Sequence, residues 1–222
     1  MGVTTIPRIK ICCIADLQEA KLAIRFGASA LGLVSEMPSG PGVISEERIA
    51  EIAATIPPAV SAFLLTCKKE AAAIVAQQRR CGVNTLQLCD SVTPECLQEL
   101  RHTLPGIAVV QVVHVRGEAS IQQAETIAPF VDGLLLDSGD PDLPVQELGG
   151  TGRTHNWQIS KRIRQAVGVP VFLAGGLNAG NVADAIKTVE PFGVDVCSGV
   201  RTQGKLDESK LAKFVSNVKS PM

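Results

Sequence analysis

Short apolar runs alternate with helical patterns about eight times along the chain, and this alternation restricts the fold more than any other feature. The runs 9–14, 30–34, 60–65, 85–88, 108–113, 133–136, 171–174 and 194–197 read as strands. Helical patterns cover 17–26, 45 to about 56, 69–81, 93–102, 120–128, 157–167, 178–189 and 207–218. The breaks have physical causes. Gly27 and Gly82 suit left-handed helix ends, Pro57-Pro58 cannot continue a helix, and Pro94 fits a first helical turn. Ser45 and Asn178 are expected to cap the helices they precede. Strands that alternate with helices form a parallel sheet. About eight such units in 222 residues, with no linker between them, give a compact (β/α)8 TIM barrel. The expectation is one domain over 1–222; a doubly wound sheet would usually carry fewer strands.

Composition removes several function classes. The formal net charge is -1, so no global field draws nucleic acid or an anionic membrane. Aromatic residues make up 3%, too few for base-stacking platforms. No apolar run reaches membrane-spanning length, and the first residues lack the apolar segment of a signal peptide. A cytoplasmic location is expected. The seven cysteines are scattered and the histidines number three, so reduced thiols and no metal site are expected.

In a barrel of this type, chemistry sits where strands end. Those ends carry Cys12, Ser35, Thr66, Cys89, His114, Asp137, Gly175 and Ser198. Three of the later loops are rich in glycine: Gly149-Gly150-Thr151-Gly152, Gly175-Gly176 and Ser198-Gly199. Glycine lets backbone N–H groups approach an anion, so these loops are candidates to hold a phosphate. Asp137 follows Leu134-Leu135-Leu136 with no helix close behind it. A carboxyl at an apolar barrel mouth keeps its proton more tightly, as a general acid must. Cys12 faces the same mouth and can serve as a base. Alternation puts Lys10 on the same side as Cys12, and Asp195 on the same side as Cys197. The eighth strand closes beside the first, so Lys10 and Asp195 are expected to pair inside the barrel.

These residues, taken together, resemble the phosphoribosylanthranilate isomerase family. The resemblance runs from Lys10-Ile11-Cys12 through Gln87-Leu88, Leu136-Asp137 and Gly149-Gly150-Thr151-Gly152 with Thr154 and Trp157. It continues in Ala174-Gly175-Gly176-Leu177-Asn178 and Ser198-Gly199-Val200. It implies a (β/α)8 barrel of tryptophan biosynthesis that performs an Amadori rearrangement on a phosphosugar amine, without a cofactor. Asp137 would be the general acid and Cys12 the base. Gly150, Thr151, Gly152, Gly175, Gly176, Ser198 and Gly199 would hold phosphate, and Lys10, Gln87 and Arg201 would contact substrate. The chain departs from the family at Cys13 (usually glycine), at Cys89-Asp90 (usually His-Gly) and at Arg201 (usually acidic). The loop after strand two, which in the family carries an arginine for the anthranilate carboxylate, has no basic residue between Arg25 and Arg48. Arg201 or Arg153 is the candidate replacement. Two other readings stay open: a paralogue acting on another phosphosugar amine, and a barrel that only binds a sugar phosphate. The sequence leaves both a monomer and a homodimer open.

Overall fold

A computed structural model describes residues 6–219 except 141 and 151, so the Thr151 expectation lies outside the described residues. Eight parallel strands form a closed barrel in sequence order. They are β1 (Arg8–Ile11), β2 (Ala30–Val34), β3 (Ser61–Thr66), β4 (Thr85–Leu88), β5 (Ala108–His114), β6 (Gly133–Asp137), β7 (Val171–Leu173) and β8 (Gly193–Val196). The seam is made by β1 and β8, with Lys10 opposite Asp195 and Ile11 opposite Val196.

The helices are α1 (Leu17–Arg25), α2 (Glu46–Ala53), α3 (Ala71–Cys81), α4 (Pro94–Thr103), α5 (Ala119–Ile127), α6 (Trp157–Ala166), α7 (Val182–Val189) and α8 (Glu208–Lys219). Local chemistry starts and stops them. The Asp16 carboxylate accepts from the N–H groups of Gln18 and Glu19, and Thr93 Oγ1 accepts from Cys96 N. Gly82 ends α3 at φ 64°.

Alternation divides the core in two. On β3, Ala62 and Leu64 belong to the layer between sheet and helices, with Ile49, Ile52 and Leu86. Phe63 and Leu65 point inward and join Val110, Val112, Leu135 and Phe172 in the barrel interior. Each fully buried side chain such as Leu64 adds about 1.5–3 kcal/mol over an exposed one. The interior also contains buried Lys10, Gln87 and Asp195, so it is a mixed layer.

Three departures from the sequence expectation matter. First, β1 stops at Ile11 rather than continuing to Ile14, because Cys13 takes the left-handed φ of 62° and cannot stay in a strand. Second, Asn178 does not cap α7. It holds the loop before the helix, accepting from Gly180 N, while Asn181 occupies the cap position. Third, a short antiparallel hairpin, β9 (Arg201–Thr202) and β10 (Lys205–Leu206), stands between β8 and α8.

Candidate active site

The site begins with a gap in β2. Gly32 faces the barrel interior beside β1. A Cβ added there would lie 2.9 Å from Cys12 Sγ and 3.0 Å from Lys10 Nζ. The Lys10 side chain of β1 and the Cys12 side chain just after it therefore occupy space that glycine leaves. Gly32→Ala is expected to displace both, at about 1–3 kcal/mol of overpacking, and to lower kcat. Paired melting and rate measurements check this; a variant with parental stability and kcat would separate Gly32 from the site.

Lys10 is completely buried, and its ammonium lies 3.0 Å from Asp195 Oδ1. The contact is a close ion pair rather than a well-aligned hydrogen bond, since neither atom has a hydrogen-bond partner of good geometry. Nζ also sits 5.4 Å from the centre of the Phe63 ring. Burial opposes the Lys10 charge, but Asp195 and the sulfurs of Cys12 and Cys13 outweigh it, and its pKa is raised. Burial pushes the Asp195 carboxyl up, with Lys10 partly offsetting. The direction that governs is that of the lysine: it stays charged, one layer below the mouth.

Above this pair is one cavity. Cys12, Gln87, Asp137, Gly150, Gly152, Gly175, Gly176 and Ser198 line it together. Asp137 ends β6 and is nearly buried. Its Oδ1 accepts from Ser138 N at 2.7 Å. Burial raises its pKa, and the Ser138 N–H, His114 and Lys10 only partly offset this. Gln87 Oε1 is buried without a hydrogen-bond partner. His155 donates or accepts at Ser160 Oγ, 2.7 Å away, and burial pushes it down to about 4, so it is neutral near pH 7.

The glycine loops interlock. A Cβ on Gly176 would meet Arg153 C at 2.6 Å, and one on Gly199 would meet Leu177 O at 2.0 Å. The loops after β6, β7 and β8 thus lie directly on one another, which only glycine permits. Gly199 serves this contact and is set back from the cavity lining. Gly152 differs: a Cβ there has only Ser198 Oγ near it, at 3.7 Å. Gly152→Asp therefore adds a carboxylate where an anion is expected without a steric clash, at a left-handed φ of 69° that aspartate tolerates better than most residues. It is expected to weaken binding of a phosphate-bearing product analogue at least about tenfold, a loss of about 1.4 kcal/mol, with a cooperative melt retained. Unchanged affinity by calorimetry would move the phosphate site elsewhere.

Two expected substrate contacts stand differently. Lys10 lies below the cavity lining and spends its charge on Asp195. Arg201 faces a neighbouring cleft. Its guanidinium contacts Glu19 at 2.9 and 3.0 Å and donates to the carbonyls of Cys12 and Cys13. It ties down the loop after β1 rather than offering a free charge to substrate. Arg153 contacts Glu147. Sequence reasoning pointed to the loop after β2 for its lack of a basic residue but named none of its residues for the site; it brings Met37, Ser39, Gly40 and Pro41 to the cavity. A Cβ on Gly150 would touch Pro41 Cδ at 2.5 Å, so this loop rests on the one after β6. The Pro/Gly content of 38–42 was the available signal for a close-packed loop. Among the described residues, no group of three His, Cys, Asp or Glu is placed to hold a metal ion, and no helix is long and apolar enough to cross a membrane.

Comparison with known proteins agrees with this geometry. The sequence model of N-(5'-phosphoribosyl)anthranilate isomerase matches residues 9–217. N-(5'-phosphoribosyl)anthranilate isomerase 2 of Methanosarcina mazei is 35% identical over 96% of this chain and 94% of its own length. The Haloferax volcanii isomerase is also 35% identical, over 96% and 93%. The crystal structure of the Thermotoga maritima enzyme superposes with a TM-score of 0.83 at 31% identity, covering 96% of this chain and 98% of that one. A phosphoribosyl anthranilate isomerase solved with reduced 1-(o-carboxyphenylamino)-1-deoxyribulose 5-phosphate gives 0.80 at 29%, with the same coverage. With this coverage, and with the acid, the thiol and the glycine loops converging on one cavity, the chain belongs to the N-(5'-phosphoribosyl)anthranilate isomerase family.

Proposed function

We propose that this chain converts N-(5'-phosphoribosyl)anthranilate to 1-(2-carboxyphenylamino)-1-deoxyribulose 5-phosphate, an aldose–ketose isomerisation of tryptophan biosynthesis. The observation that carries the proposal is the shared cavity of Cys12, Asp137 and the glycine loops after β6, β7 and β8. The glycine loops hold the phosphate and fix the sugar across the mouth. Asp137, whose proton is held more tightly by burial, gives its proton to the ribose ring oxygen. The C1–O bond breaks and the anthranilate nitrogen forms a Schiff base with C1. Cys12 removes the proton from C2, and the electron pair moves into the iminium, which is the electron sink. The resulting enolamine tautomerises to the ketose. Lys10 and Asp195 support Cys12 from below. The free cysteines fit a reducing cytoplasm.

One observation favours a second reading. The loop after β2 brings only Met37, Ser39, Gly40 and Pro41 to the cavity, and Arg201 is engaged by Glu19. No cation of that loop meets a carboxylate on the aglycone. A paralogue acting on an uncarboxylated phosphosugar amine fits this. The fluorescence change on loss of phosphoribosylanthranilate tests the first reading directly. Turnover of the N-phenyl phosphoribosylamine alone would favour the second.

A further inference from the structure

Four of the seven cysteines line the barrel mouth: Cys12, Cys13, Cys89 and Cys197. The acid–base chemistry uses only Cys12. Cys13 and Cys197 come from opposite ends of the chain, and the β1–β8 seam sets their segments side by side. Their Sγ atoms are 2.7 Å apart. A disulfide bond is about 2.05 Å long, so less than about 1 Å of closure separates the two thiols from a bond.

The backbones that carry them are held. Cys12 N donates to Val196 O at 2.9 Å. Arg201 grips the carbonyls of Cys12 and Cys13 and is itself fixed by Glu19. The thiols are also unequal. The hydrogen bond shared with Cys13 lowers the Cys197 pKa, and Arg201 adds to this against burial. Hydrogen bonds to Cys12 and Cys197, with burial, push Cys13 up. Cys197 therefore has the character of an attacking thiolate, and Cys13 that of a resolving thiol. Both border a second cleft, lined by Ala15, Pro41, Gly42 and Gly204, that gives a small oxidant a route outside the substrate cavity.

We propose that Cys13 and Cys197 form a reversible redox site, which closes to a disulfide when a hydroperoxide enters this cleft. The Cys197 thiolate attacks one peroxide oxygen. An S–O bond forms, the O–O bond breaks, and the departing alkoxide or hydroxide takes up a proton. The Cys13 sulfur then attacks the Cys197 sulfenic acid. The S–S bond forms, the S–O bond breaks, and hydroxide leaves with the Cys13 proton as water. Two thiols are oxidised by two electrons, and one peroxide is reduced to an alcohol or water. The closed form loses the S–H that Cys13 shares with Cys12. It also ties the loop after β1 to the loop carrying Ser198, so turnover falls until a dithiol reopens it.

The test titrates the reduced protein with hydrogen peroxide, counts free thiols after denaturation and maps linked peptides. The expected count falls from seven to five, with one link joining position 13 to position 197. Dithiothreitol restores all seven thiols and the lost turnover. Cys12→Ser keeps the link; Cys197→Ser and Cys13→Gly lose it. Glycine is chosen at 13 because the φ of 62° suits it. A link running through Cys12 or Cys89, or seven free thiols persisting until irreversible sulfinate appears, overturns the proposal. Thiol count and map need no substrate, so their outcome is independent of which phosphosugar the enzyme uses.

Discussion

Cys12→Ser and Asp137→Asn are each expected to lower kcat by about 10²–10⁴-fold, with KM little changed. In the proposed mechanism both side chains act on protons that move only during reaction, while the glycine loops that line the same cavity would set binding. The two variants should differ in their pH profiles. As the proposed general acid, Asp137 would need its proton to open the sugar ring, and burial raises its pKa. The parent's kcat/KM should therefore fall as pH climbs through that raised value. In Asp137→Asn this limb should vanish, because the amide does not titrate. Steady-state fluorescence over a pH series reads both effects. A Cys12→Ser enzyme as fast as the parent would remove the thiol from the mechanism, and an unchanged alkaline limb in Asp137→Asn would assign it to another group.

Lys10→Met is expected to destabilise the barrel by about 3–5 kcal/mol, the usual cost of stranding one member of a buried ion pair. Lys10 is fully buried and Asp195 nearly so, so solvent screens little of either charge. In a domain of this size the melting temperature should drop by roughly 6–20 °C. Lys10→Met with Asp195→Leu removes both charges and should regain much of that loss without regaining activity. The lost ammonium also leaves Cys12 with an apolar neighbour. A double variant no more stable than Lys10→Met alone would contradict the pairing energetics, whatever its activity.

The barrel was readable because each strand is a short apolar run and each helix has its own stop, such as Gly82 or Pro57-Pro58. Lys10 and Asp195 were readable for a second reason: period-two alternation and barrel closure bring them together without any local contact. Element ends were less legible. The end of β1 depends on the left-handed backbone at Cys13, which no periodicity announces. The hairpin of β9 and β10 has two residues per strand, too short to show a period. Within the site, residue type showed which loops could take an anion but not how they stack. The contact of Gly176 with Arg153 joins loops whose separation in sequence hides it. Arg201 shows the same limit. It was a candidate to replace the arginine missing from the loop after β2, yet Glu19, far away in α1, claims it.

The β1–β8 seam has a consequence for how the chain is made. Lys10 leaves the ribosome 185 residues before Asp195. Until β8 arrives, the ammonium has no interior counter-charge and one edge of β1 has no strand to bond. No shorter N-terminal product can therefore close the ring. Nascent chains ending before residue 193 are expected to remain open and protease-sensitive, and to become resistant only once β8 has been released. The pair that supports the thiol thus also acts as a check on completion, since a chain cut short before β8 has no way to bury its own first strand.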